Sequence, residues 1–195
     1  HQYPKIHSVL RKNLFFLEKE KKGKRRKEGG INRMKNINLE NYIRDIPDFP
    51  KKGIIFKDIT PLLNNKIAFQ YTIDLLANHY KDQKIDKIVA IESRGFIIGA
   101  ALAYKLNKGF VPIRKKGKLP YRTIQAKYQL EYGEDILEMH VDAVKASENI
   151  LIIDDLLATG GTCQAVIKLI QQQKANIIGI AFIIELSFLK GKNKL

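Results

Sequence analysis

The sequence holds a single cysteine, Cys163, among 195 residues. One cysteine cannot close an intrachain disulfide, and its scarcity fits a reducing compartment. Long apolar runs are also missing. Stretches such as residues 177–186 are too short to cross a bilayer and carry strand composition, so no transmembrane helix is expected. There is no internal repeat. Two nucleotide signatures are absent: no G-x-x-x-x-G-K-[ST], hence no P-loop lysine, and no G-x-G-x-x-G, hence no dinucleotide fingerprint. His79 and His140 lack metal-ligand spacing, which leaves them structural or surface roles.

What is present in excess is positive charge, and it is unevenly spread. The formal net charge is +15, against an ordinary 45% apolar and 28% charged composition. Residues 1–33 hold 11 Lys or Arg against 3 Glu, a net of +8, and the other 162 residues hold 24 against 17, a net of +7. Taken whole, such charge suggests nucleic-acid or membrane binding. Divided this way, the larger part is only moderately basic, as an enzyme handling polyphosphates would be. Residues 1–33 read as a basic, disordered extension, and 34–195 as one globular domain. Met34 is the expected functional start; the alternative is a nuclear-targeting or RNA-binding arm.

Along the chain, an amphipathic helix is predicted from Asn38 to Ile46, stopped by Pro47 and Pro50. A short extended piece follows at Ile54-Ile55-Phe56, then a loop at 58–61 and a helix over 66–80. Next comes a β–α–β pattern: strand 87–91, loop 92–95, helix 96–106, strand 109–113 and a basic loop, 114–118. Residues 119–133 lack a firm period and read as a mobile loop or hairpin. Strand 135–141, strand 150–154, helix 163–173 and strand 176–186 complete the chain. The alternation predicts an α/β fold with a Rossmann-like, mostly parallel central sheet and flanking helices. Ligands collect beyond the carboxyl ends of such strands, so loops 92–95, 114–118 and 154–162 should converge.

The most informative stretch is Ile150-Leu151-Ile152-Ile153-Asp154-Asp155-Leu156-Leu157-Ala158-Thr159-Gly160-Gly161-Thr162. A buried strand, a loop exposing backbone N–H groups and a helix start make an anion cradle. Two carboxylates would repel a bare phosphate, but they can accept hydrogen bonds from vicinal hydroxyls. The combination points to a sugar phosphate.

The hydrophobic strand, double acid and Ala158-Thr159-Gly160-Gly161-Thr162 resemble the phosphoribosyl pyrophosphate loop of the type I phosphoribosyltransferases. That resemblance implies a small N-terminal hood and a mobile lid on the α/β core, with 34–195 as the catalytic domain. It implies that Ala158, Thr159, Gly160, Gly161 and Thr162 hold the 5-phosphate. Asp154 and Asp155 would accept from the ribose hydroxyls and stabilise positive charge developing at carbon 1. Glu92-Ser93-Arg94-Gly95-Phe96 resembles the family's pyrophosphate loop, with a cis peptide at Glu92–Ser93 and Arg94 neutralising the departing pyrophosphate. Lys115 and Lys118 become leaving-group ligands. Mg²⁺ is expected as cofactor, held mainly by substrate oxygens and water rather than by protein side chains.

The specifying stretches, residues 49–59 and Leu130-Glu131-Tyr132-Gly133, are similar to adenine phosphoribosyltransferases. On that resemblance Phe56 stacks on the purine and Ile55 backbone groups read the adenine edge. Glu131 transfers the proton at the purine imidazole, Tyr132 hydrogen-bonds pyrophosphate, and 121–128 is a lid excluding water. Two positions depart from the family pattern: Lys52 where Pro is common, and Lys57 where Arg is common. Cys163 is read as helix packing. The implied reaction makes AMP and pyrophosphate from adenine and phosphoribosyl pyrophosphate, in a cytoplasmic homodimer with no membrane or nucleic-acid partner. The alternatives are a 6-oxopurine or orotate enzyme of the same fold, and a non-catalytic phosphoribosyl pyrophosphate sensor.

Overall fold

A computed structural model describes residues 37–129 and 134–195, together with the strand Phe15–Glu18. The chain divides into two units; Asp82–Leu195 and the strand Phe15–Glu18 belong to one, and residues 37–81 to the other.

The larger unit is built on a seven-stranded sheet. Its strands are β1 (Phe15–Glu18), β4 (Lys87–Ile91), β5 (Gly109–Lys115), β6 (Thr123–Gln129), β7 (Glu134–His140), β8 (Asn149–Leu157) and β9 (Asn176–Glu185), in the order β1-β9-β8-β4-β5-β7-β6. The central neighbours β9, β8, β4 and β5 are parallel, while β1, β7 and β6 join antiparallel. Helix α3 (Arg94–Leu106) links β4 to β5, and α4 (Gly161–Gln172) links β8 to β9. Side chains of a strand alternate between faces. Val89, Ile91, Val111, Ile113, Ile150 and Ile152 accordingly pack with Val166, Leu169 and Ile170 of α4. Ala90 and Ile88 point the other way, and there α3 comes so close that a Cβ on Gly99 would lie 2.6 Å from the Ala90 methyl. The sheet is thus covered on both faces, which is why its central strands read as unbroken apolar runs.

The smaller unit holds a 3-10 turn, Leu39–Tyr42, the antiparallel pair β2 (Arg44–Pro47) and β3 (Ile55–Asp58), and helices α1 (Thr60–Asn64) and α2 (Lys66–Tyr80). Asn65 starts α2 by accepting from the Ile67 and Ala68 N–H groups at 3.1 and 3.0 Å. Between β2 and β3 the Phe49–Pro50 peptide is cis and Asp48 Oδ1 accepts from Gly53 N at 2.6 Å.

Several expected boundaries move. The helix expected over 38–46 is a single 3-10 turn followed by β2, because pairing of Arg44–Pro47 with β3 overrides the helical spacing of Tyr42, Ile43 and Ile46. The loop expected at 58–61 already contains the start of α1. The aperiodic run 119–133 contains β6, which forms a hairpin with β7 and places Ala126 opposite Leu137, both buried. Strand β8 runs past Asp154 to Leu157, and α3 and α4 each begin two residues earlier than expected. Part of the extension expected to be disordered forms strand β1, paired with β9 from Phe15↔Phe182 to Glu18↔Gly179. The rest of 1–33, and Met34, lie outside the described residues.

Candidate active site

Chain direction across the sheet locates the site. From β4 the chain crosses to β5 on one side; from β8 it crosses to β9 on the other. Because β4 and β8 are parallel neighbours, their carboxyl ends flank a crevice where the topology switches, the usual ligand position in open α/β sheets. Loop 92–93 leaves β4 there, and loop 158–160 leaves β8.

The two chain segments touch. A Cβ on Gly95 would stand 2.8 Å from Asp154 Oδ1 and 3.2 Å from the Ile153 carbonyl oxygen, so only glycine lets the start of α3 lie this close to β8. Arg94 Nε lies 2.8 Å from Asp155 Oδ2. The acid pair sits within the strand itself, and neighbouring residues of a strand point to opposite faces. Asp154 is half-buried and its Oδ1 accepts from Asp155 N at 2.9 Å; Asp155 is buried. Desolvation, reinforced by the neighbouring Asp155 charge, holds the Asp154 carboxyl well above the usual carboxylate range. Burial also raises Asp155, but there the Arg94 guanidinium pulls the other way.

On the opposite flank, Glu92 faces the basic loop. Its Oε1 accepts from Arg114 NH2 at 2.9 Å and its Oε2 from Lys115 N at 3.0 Å. The Arg114 hydrogen bond holds Glu92 below the usual glutamate range. Arg114 and Lys115, expected in the basic loop, instead end β5, where they pair with Glu138 and Leu137 of β7. Arg114 NH1 also reaches the Lys118 carbonyl oxygen at 3.0 Å, so this strand-end arginine ties down the turn that follows. Exposed Lys115 places its Nζ 3.2 Å from Asp135 Oδ2, and Lys118 is exposed. The Glu92–Ser93 peptide is cis, as the resemblance implies, and Ser93 precedes the first residue of α3.

Residues 158–162, expected to form the cradle, run from the end of β8 into the first turn of α4. Gly160 has φ +82°, and α4 starts at Gly161. The first N–H groups of a helix have no carbonyl one turn back, so they and the helix dipole favour an anion. Thr159 and Gly161 line a depression of about 260 Å³ with Lys127, Tyr128, Gln164 and Lys168. Desolvation and the Asp135 carboxylate push the Tyr128 phenol up to about 12. It therefore remains a hydrogen-bond donor, 3.1 Å from Asp135 Oδ2. Burial likewise pushes the Cys163 thiol up, which fits packing rather than nucleophilic chemistry.

Arg94, Asp154, Asp155, Glu92, Ser93, Lys115, Lys118 and residues 158–162 all lie in the larger unit. Ile55 and Phe56 lie in the smaller one, on β3. Ile55 is 55% exposed, and Phe56 meets Phe49 edge-on with ring centroids 5.2 Å apart. Lys57, one of the two departures from the family pattern, closes a cross-strand ion pair with Asp45 at 2.6 and 2.7 Å. Glu131 and Tyr132 lie outside the described residues. The sequence alone assigns no separate role to Gly95, inside the Glu92–Phe96 stretch, or to Arg114, at the start of the basic stretch 114–118. The signal for Arg114 was its place at a strand end one strand away from a carboxylate, Glu92. Among the described residues, no group of three or more His, Cys, Asp or Glu is arranged to hold a metal ion. No helix of the described residues is long and apolar enough to cross a membrane.

Residues 58–192 match the phosphoribosyl transferase domain. An adenine phosphoribosyltransferase of Maridesulfovibrio salexigens is 62% identical over 159 residues, covering 82% of this chain and 94% of that protein. The adenine phosphoribosyltransferase of Thermoanaerobacter pseudethanolicus superposes with a TM-score of 0.78 at 52% identity, covering 80% of this chain and 93% of that one. The enzyme of Saccharomyces cerevisiae, solved with D-2,5-dideoxy-2,5-imino-altritol 1,6-bisphosphate and adenine, gives a TM-score of 0.75 at 43% identity over 80% and 92% of the two chains.

Proposed function

The chain belongs to the adenine phosphoribosyltransferases of the phosphoribosyl transferase domain family, and we propose that it moves the 5-phosphoribosyl group from phosphoribosyl pyrophosphate to adenine, giving AMP and pyrophosphate in purine salvage. The observation that carries this reading is the meeting of two loops at the β4/β8 switch point, through Gly95 against Asp154 and Arg94 against Asp155. Such a junction suits a ligand with a phosphate at one end, vicinal hydroxyls in the middle and a leaving pyrophosphate at the other.

In this reading, N–H groups of residues 158–162 and the Thr159 and Thr162 hydroxyls bind the 5-phosphate. Asp154 and Asp155 accept from the ribose hydroxyls. Their charge, costly while buried, is offset as carbon 1 becomes oxocarbenium-like on losing pyrophosphate. Lys115, Lys118 and the backbone of Glu92 and Ser93 receive the leaving group, with Glu92 and Arg114 fixing the basic loop. Arg94 supplies positive charge between the two loops. Ile55 and Phe56 take the adenine, Glu131 handles its imidazole proton, and Tyr132 hydrogen-bonds pyrophosphate. Bound Mg²⁺ would neutralise pyrophosphate charge, held mainly by substrate oxygens and water, which fits the finding that no group of three or more His, Cys, Asp or Glu among the described residues is arranged to hold a metal ion. Residues 34–195 are the catalytic domain, 1–33 a dispensable basic extension, and the working form a cytoplasmic homodimer.

The test is pyrophosphate release with adenine, hypoxanthine, guanine and orotate as acceptors. Release only with adenine is the expected result. Equal rates with hypoxanthine would remove the base assignment, and unchanged rates in both Glu131→Ala and Asp154→Asn would remove the site.

A further inference from the structure

The C-terminal segment is pressed against the anion cradle. Strand β9 ends at Glu185, and Leu186 N then donates to the Leu157 carbonyl oxygen at 2.9 Å, just before the cradle begins. Two short 3-10 turns follow, Ser187–Leu189 and Gly191–Lys194, with Lys190 between them at φ +52°. Lys190 turns the chain back so that buried Gly191 packs against residues 158–160.

The contact excludes side chains on both partners. A Cβ on Gly191 would collide with the Ala158 carbonyl oxygen and stand 3.1 Å from Gly160 N. Reciprocally, a Cβ on Gly160 would stand 2.7 Å from the Gly191 carbonyl oxygen. The last turn is fastened to the helix that the cradle opens, because Gln164 Nε2 donates to the Lys194 carbonyl oxygen at 2.9 Å. The main chain of 158–160 is therefore held between its own turn and a backbone wall supplied some thirty residues later.

We propose that Gly191 is a positioning residue for phosphoribosyl pyrophosphate: by carrying no side chain, it lets the C-terminal segment set the backbone of the phosphate loop. This rests on the reading of residues 158–162 as the 5-phosphate site. The physical cause is the angular demand of hydrogen bonds, which weaken steeply once N–H groups point away from their acceptor. A methyl at Gly191 would run into the Ala158 carbonyl and approach Gly160 N, which are main-chain atoms with no rotamer to turn away, so the backbone at this contact must shift. The shift acts on the N–H groups assigned to the phosphate, whereas the residues assigned to adenine belong to other segments of the chain.

The experiment uses the full chain. Gly191→Ala is expected to raise KM for phosphoribosyl pyrophosphate at least tenfold, with KM for adenine within twofold and kcat within threefold of the parent. A general loosening would move all three together with the melting temperature. Gln164→Ala, which unfastens the tail without crowding the loop, is expected to raise KM for phosphoribosyl pyrophosphate about threefold. It decides the matter if Gly191→Ala does not fold. An unchanged KM for phosphoribosyl pyrophosphate in a folded Gly191→Ala, or in Gln164→Ala when the glycine variant is insoluble, overturns the proposal. Thr162→Ala separates the two levels. Weakened phosphoribosyl pyrophosphate binding there with none in Gly191→Ala rejects the brace and keeps the phosphate loop, whereas parental binding in Thr162→Ala rejects the loop assignment and the brace with it.

Discussion

Arg94 Nε stands 2.8 Å from Asp155 Oδ2, so the first residue of α3 neutralises a buried carboxylate on the strand that leads into the loop assigned to the 5-phosphate. Burial raises the Asp155 carboxyl and Arg94 opposes that rise. Arg94→Ala therefore lets Asp155 climb further, and a higher pH is needed to ionise it. The acidic limb of the kcat/KM profile for phosphoribosyl pyrophosphate should move to higher pH. At neutral pH, kcat/KM should fall by about 10². Arg94→Lys should return part of the limb's position. Superimposable pH profiles for parent and Arg94→Ala would show that the pair does not tune the site.

The same burial carries a stability consequence. Asp154 is held well above its ordinary value, so the folded protein binds its proton more tightly than the unfolded chain. Stability from this group is then full below the unfolded value and declines as pH rises towards the raised folded one. An amide has no charge to desolvate, and Asn can still accept from Asp155 N as Asp154 does. Asp154→Asn should consequently abolish pyrophosphate release yet raise the melting temperature at neutral pH, by roughly 2–4 °C for each kcal/mol regained. The gain should shrink as pH is lowered. A variant less stable than the parent at neutral pH would contradict the assignment of a destabilising buried charge.

How much of this was readable from the sequence follows from where the signals are local. Ile150–Ile153 and Lys87–Ile91 advertise themselves because both faces of the central strands are covered, and the Asp154–Thr162 motif is contiguous. The edge hairpin was ambiguous because β6 alternates Ala126, Lys127, Tyr128 and Gln129 with little apolar content, and only its pairing with β7 makes it a strand. The helix predicted over 38–46 failed for the same reason, since a nonlocal partner, β3, claimed Arg44–Pro47. Within the site, residue types were legible, but their pairings were not. Glu92 with Arg114, and Gly95 against Asp154, are contacts between segments 22 and 59 residues apart that no spacing rule announces.

The Glu92 pairing gives a third test. Glu92 holds both Arg114 and the Lys115 N–H, so its carboxylate shapes the loop assigned to the leaving pyrophosphate. Its depressed value means that the clamp is intact above the ordinary glutamate range and is lost only as pH falls through the lower folded value. Glu92→Gln should raise KM for phosphoribosyl pyrophosphate roughly fivefold at neutral pH while leaving KM for adenine within twofold. Parent and variant should converge as the pH is taken into the acid range. Equal KM values at neutral pH would mean that Arg114 holds the loop by its Lys118 contact alone.

The extension gives a fourth. A chain beginning at Met34 should keep kcat and both KM values, because every residue assigned to the site lies beyond it. It loses β1, however, and with it the antiparallel partner of β9 along Gly179–Phe182. The expected cost is a melting temperature a few degrees lower, read in a thermal melt of the two chains. A tenfold fall in kcat/KM would give residues 1–33 a catalytic part and reject their dispensability.

The last concerns Glu131, which lies in the chain between Gln129 and Glu134, the residues that end β6 and begin β7. Assigned to the purine imidazole proton, it should matter to the chemical step more than to binding of the ribosyl donor. General acid–base groups contribute about 10²–10⁴ to rate. Glu131→Ala should lower kcat for pyrophosphate release by about 10² or more, with KM for phosphoribosyl pyrophosphate within threefold. Glu131→Gln keeps the shape and one hydrogen-bonding oxygen but cannot exchange a proton at neutral pH, so it should lose nearly as much. If Glu131→Gln instead keeps parental kcat while Glu131→Ala falls, the side chain positions the base by hydrogen bonding and the proton leaves by another route. Parental kcat in both variants returns Glu131 to an ordinary loop carboxylate, and the donor chemistry must then proceed on Arg94, Asp154 and Asp155 without it.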